Sequence, residues 1–156
     1  MELKILVGTM TGTAEMVAEE MSDTLAELGH EIEVEPMDDL DISVFDGGGD
    51  FLIVSSTYGQ GDVPDNAMAL YEGLVQDKPD LSDVRYGVFS LGDMTYSDTF
   101  NFGGKRFDKA LADCGAKKIG EIFTHDASSG TIPEDDGVAW VKEWIGNFSE
   151  ARALAA

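Results

Sequence analysis

Apolar and polar positions along the chain alternate between two rhythms. Leu3-Lys4-Ile5-Leu6-Val7 is an almost unbroken apolar run, the pattern of a strand buried on both faces. Ala14, Val17, Ala18, Met21, Leu25 and Leu28 then recur three and four residues apart, which predicts a helix ended by Gly29. Residues 31–35 alternate Glu with Ile and Val, as a half-exposed edge strand does, and Pro36 stops them. After the Gly47-Gly48-Gly49 turn, residues 50–56 form the most plainly buried strand. Met68, Leu70, Tyr71, Leu74 and Val75 mark a helix over about 66–76. A fourth strand is expected at 86–91, a helix including 107–114, a fifth strand at 119–124 and a closing helix over about 136–148.

This succession is that of repeated βαβ units, with no linker and no repeat. Crossovers between parallel strands are right-handed and place helices on the faces. The economical arrangement is therefore an α/β doubly wound sheet of five parallel strands with helices on both sides, one domain over 1–150 and a tail at 151–156. Ligands of such sheets bind at the carboxyl ends of the strands.

Composition narrows the class. The chain has 156 residues, 43% of them hydrophobic, enough for a substantial core. No apolar stretch approaches the ~20 residues of a membrane helix, and the amino-terminal residues lack the pattern of a secretory signal. Cys114, the single cysteine, excludes an internal disulfide and favours a reducing compartment, so a cytoplasmic location is expected. The formal net charge of −21 repels nucleic acid and anionic membranes. It suits either attraction of basic protein partners or life in a salty cytoplasm, and charge alone does not choose between them.

The chemistry lies in three loops. Thr9-Met10-Thr11-Gly12-Thr13-Ala14 joins the first strand to the first helix, where unpaired backbone N–H groups and the positive dipole end favour phosphate. Three hydroxyls and no Lys or Arg make it an anchor, without a cation to serve phosphoryl transfer. It also lacks the Gly-Lys-Ser/Thr ending of a Walker loop, which argues against a nucleotide hydrolase. Residues 56–66 and 92–102 follow the third and fourth strands and are long for βα connections. Each carries a tyrosine in polar surroundings, Tyr58 and Tyr96, able to sandwich a planar ring.

In this order the three loops resemble those of the flavodoxin family and of the FMN domains of diflavin reductases. Within the family the chain is similar to short, stand-alone MioC-type proteins. The similarity rests on Ser55-Ser56-Thr57, Gly59, Gly61-Asp62, Pro64-Asp65-Asn66, Lys78-Pro79-Asp80-Leu81-Ser82 and Gly115-Ala116-Lys117. It implies strand order 2-1-3-4-5 and FMN as cofactor. Thr9, Met10, Thr11, Gly12, Thr13 and Ala14 would surround the phosphate, with Ser56, Thr57, Gly92, Phe100 and Asn101 also near the flavin. Tyr58 and Tyr96 would flank the ring, Gly59 would turn its carbonyl toward N5, Asp93 would accept from N3, and Asp126 would lie nearby. Three residues separate Tyr96 from Phe100 where the diflavin pattern has two, a spacing nearer that of ordinary flavodoxins.

The implied function is a monomeric electron carrier moving single electrons between a reductase and an acceptor protein, with no catalytic residues and no metal. Carboxylates on the loops (Asp62, Asp65, Asp93, Asp98) would make the second electron harder to add than the first. The alternative is an FMN-dependent oxidoreductase of the same fold, such as a quinone reductase. A receiver domain is disfavoured, because Thr9 and Thr11 stand where paired acids are needed. Trp140 and Trp144 read as core packing, Cys114 as a small buried apolar residue, and Glu134, Asp135 and Asp136 as charge at a helix start. His30 and His125 suggest no metal or catalytic pairing.

Overall fold

The computed structural model describes residues 2–8, 12–56, 65–92, 102–126 and 130–155, without the side chains of 39, 65, 92, 102–103 and 148–155. The first half comprises β1 (Glu2–Gly8), α1 (Thr13–Glu27), β2 (Glu31–Pro36), two short 3-10 turns (Met37–Asp39 and Ile42–Phe45) and β3 (Gly49–Ser55). A 3-10 turn (Asp65–Ala67) leads into α2 (Met68–Asp77). There follow β4 (Val84–Gly92), α3 (Phe102–Asp113), β5 (Lys117–Lys118), β6 (Phe123–Asp126) and α4 (Pro133–Ala155). The strands lie in the order β2-β1-β3-β4-β5, with β6 also paired to β4, and every pairing is parallel. The expected order is the observed one.

Alternation along the central strands divides the core in two. Leu6, Phe51, Ile53, Tyr86 and Val88 point to one face, under Leu70 and Leu74 of α2 and Phe107 and Leu111 of α3. Ile5, Val7, Leu52, Val54 and Phe89 point to the other, under Val17, Met21 and Leu25 of α1 and Val141 and Trp144 of α4. β2 has Glu31 and Glu33 exposed along it, consistent with its place at the sheet edge. Cys114, Trp140 and Trp144 pack as the sequence suggests: the thiol is buried and the two indoles stack 5.6 Å apart.

Two elements depart from expectation. The fifth strand is laid down in two pieces, β5 and β6, instead of one run over 119–124. Ile119 still donates its N–H to Tyr86 O at 2.8 Å, but its carbonyl accepts from Trp144 Nε1, also at 2.8 Å. Gly120 then takes φ +72° beside the Trp144 ring, so the strand cannot continue there. α4 is longer than the 136–148 expected, reaching from Pro133 to Ala155 and so into the residues assigned to a tail. Pro133 suits a first helical position, and the Ala-rich end forms helix by propensity without an apolar stripe to announce it.

Candidate functional site

The carboxyl edge of the sheet is built around the last two residues of β1. Gly8 O accepts from Ser56 N at 2.9 Å, extending the β1–β3 ladder past its last strand residue. Asn66 Nδ2 donates to Val7 O at 3.3 Å and to Asp38 Oδ2 at 3.3 Å. Ser56 and Asn66 bracket the second of the long loops, so both ends of that loop are fastened to β1. A Cβ on Gly8 would lie 3.1 Å from Ala67 Cβ and 3.2 Å from Ser55 Oγ, leaving little room for any side chain there. The sequence places Asn66 in the loop but gives no sign of these bonds, since its partners are 28 and 59 residues away.

The sheet order reverses between β1 and β3, and α1 opens at that point. Gly12 precedes α1 in the left-handed conformation (φ 90°, ψ −6°) and has no side chain with which to cap the helix. Met16 N bonds back to Gly12 O at 3.1 Å, completing the first turn. Ala14 is wholly buried against the sheet, and Thr13 is half-buried beside it. A helix start of this kind, with its dipole aimed at a switch-point crevice, fits a phosphate.

At the far side of the same edge, Gly92 of β4 stands in register with Asp126 of β6, and Leu91 with His125. His125 is 3% exposed; its Nδ1 lies 2.8 Å from Asp136 Oδ2, which also accepts from Thr131 Oγ1 at 2.8 Å. Asp136 thus does more than charge a helix start. Sequence spacing missed this pair, because the two residues meet only when β6 and α4 are placed side by side.

Of the residues expected at the site, Gly12, Thr13, Ala14, Ser56, Gly92 and Asp126 all lie at this edge. Thr9, Met10, Thr11, Thr57, Tyr58, Gly59, Asp93, Tyr96, Phe100 and Asn101 lie outside the described residues. Two concavities sit elsewhere. One of about 440 Å³ is at the amino ends of the strands and is lined by Glu2, Glu31, Glu33, Asp46 and Asp50 among others. Another of about 370 Å³ runs between β6 and α4 past Phe123, Trp140 and Glu143. Among the described residues no group of three or more His, Cys, Asp or Glu could hold a metal, and no helix is long and apolar enough to cross a membrane.

Comparison with known proteins agrees with this geometry. The family model described as Flavodoxin matches residues 5–140. Flavodoxin YqcA of Escherichia coli K12 is 39% identical over 145 residues, covering 92% of this chain and 95% of that protein. Protein MioC of Escherichia coli O157:H7 is 37% identical over 147 residues, covering 92% and 96%. A cysteine-to-serine mutant of flavodoxin from Pseudomonas aeruginosa superposes with a TM-score of 0.84 at 33% identity, covering 94% of this chain and 98% of the other.

Proposed function

Because this chain belongs to the flavodoxin family, whose members bind FMN, we propose that it carries single electrons between a reductase and an acceptor protein with FMN at the carboxyl edge of its sheet. The observation that carries this reading is the start of α1: a left-handed Gly12, without a capping side chain, at the switch point between β1 and β3. The loop there holds hydroxyls and no cation, which suits a phosphate retained as a handle.

In this reading Thr9, Thr11, Gly12, Thr13 and Ala14 hold the phosphate through backbone N–H groups and hydroxyls. Met10, Ser56, Thr57, Gly92, Phe100 and Asn101 line the approach to the ring. Tyr58 and Tyr96 flank it, Gly59 presents a carbonyl and Asp93 an acceptor to its polar edge, and Asp126 borders the rim. The one-electron chemistry is supplied by bound FMN. The chain's part is to orient the flavin, exclude water from its faces and surround it with carboxylates. A net charge of −21 attracts basic docking surfaces on the partner proteins, more strongly at low salt.

The purified protein is tested by fluorescence titration with FMN and by stepwise reductive titration of the complex. Stoichiometric quenching and two separated one-electron waves are expected. A protein that leaves FMN fluorescence unchanged contradicts the proposal, and so does steady NAD(P)H-driven quinone turnover by the protein alone.

A further inference from the structure

His125, Thr131 and Asp136 come from three places in the chain and converge on one carboxylate oxygen. His125 is the penultimate residue of β6, next to Asp126 and in register with Leu91, and its imidazole is 3% exposed. Asp136 sits in the first turn of α4, where its N–H donates to Ile132 O at 3.1 Å. Its Oδ2 accepts from His125 Nδ1 and from Thr131 Oγ1, both at 2.8 Å. A carboxylate oxygen has lone pairs for both donors, and the imidazole–carboxylate bond gains from the charge. Together these bonds tie the carboxyl end of β6 to the start of α4 across the intervening connection.

We propose that this clasp is a positioning device for the flavin rim, and that FMN affinity depends on it. The proposal rests on reading the carboxyl edge as the FMN site. His125 is covalently next to Asp126, which is paired in register with Gly92, so the clasp fixes the backbone at the outer end of that edge. Ser56 and Asn66 do the same for the second loop through their bonds to β1. A rim already held in its bound arrangement loses less freedom when ligand arrives, and that saving appears as affinity. His125 is a positioning residue in this scheme and touches no reacting atom.

The test uses the full chain with FMN as probe, measuring the FMN dissociation constant and the melting temperature of the FMN-free protein. His125→Leu removes the Nδ1 donor. His125→Asn offers an amide N–H close to the Nδ1 position. Tyr86→Phe is the control, removing a phenol that donates to Asp108 Oδ1 at 2.6 Å on the α3 side of the sheet. His125→Leu is expected to weaken FMN binding about tenfold and His125→Asn to restore most of it. Tyr86→Phe should lower the melting temperature with affinity unchanged. If His125→Leu lowers only the melting temperature and binds FMN as the parent does, the clasp is purely structural and the proposal is overturned. Should His125→Leu fail to fold, Thr131→Val, at an exposed position, carries the same two outcomes with a smaller expected loss. A parent protein that binds no FMN would remove the reading of the site itself, a result separate from any variant.

Discussion

Gly12 and Tyr86 illustrate how much rests on single residues. Gly12 holds φ 90°, a conformation that costs a residue bearing Cβ about 1–2 kcal/mol. Nothing lies within 4 Å of the place a Cβ would occupy, so Gly12→Ala meets backbone strain without a clash. It should lower stability by about 1 kcal/mol in denaturant titration and weaken FMN binding as the α1 start shifts. Unchanged affinity would detach Gly12 from the phosphate. Tyr86 is fully buried, and burial, with the bond to Asp108, pushes its phenol well above the ordinary value of 10.0. Its contribution to stability is fully present below that value and is lost as pH climbs from there toward the raised folded value. The phenolate absorbance of the folded protein should therefore stay short of all four tyrosines until the chain unfolds in alkali. Tyr86→Phe should flatten the alkaline loss of stability. At this scale local readings such as a buried Cys114 were visible in the sequence, while the Asp136–His125 and Asn66–Val7 bonds were not, because spacing records neighbours along the chain and not across the sheet.

Strands and helices were legible in proportion to how far their own residues decide them. β1, α1, β2 and β3 follow from apolar runs and three-four periodicity, because each buries its pattern on a sheet it helps to form. The fifth strand was read as continuous, but tertiary contacts decide it: Trp144 takes the Ile119 carbonyl and crowds Gly120. The same indole makes Gly87 of β4 indispensable. A Cβ there would sit 2.4 Å from Trp144 Nε1 and 2.5 Å from Cε2, so Gly87→Ala must displace the ring and break its bond to Ile119. The expected loss is about 3 kcal/mol, from overpacking plus a forfeited hydrogen bond. Chemical denaturation measures it; a loss below about 1 kcal/mol would mean that the ring moves aside readily.

The whole molecule joins a two-sided core to a strongly acidic surface. Self-repulsion from a net charge of −21 opposes compaction, and added salt screens it. The melting temperature should rise steadily with sodium chloride up to about 0.5 M, where the screening length falls to a few ångströms. A flat response would show that the charges are already neutralised within local pairs. The location of the site was legible at this scale because right-handed crossovers gather the loops at one edge. The inner arrangement of that edge depends on contacts far apart in sequence, which is why Asn66 and His125 emerge only from the fold. The central claim is that the phosphate of FMN is held at the start of α1. It is tested most directly by mapping backbone amide shifts while titrating the protein with FMN and, separately, with riboflavin, which lacks the phosphate. The account predicts much tighter binding of FMN, with the largest shifts at residues 12–14, 56, 92 and 126. Equal affinity for the two, or shifts centred on the groove beside Trp140, would contradict it.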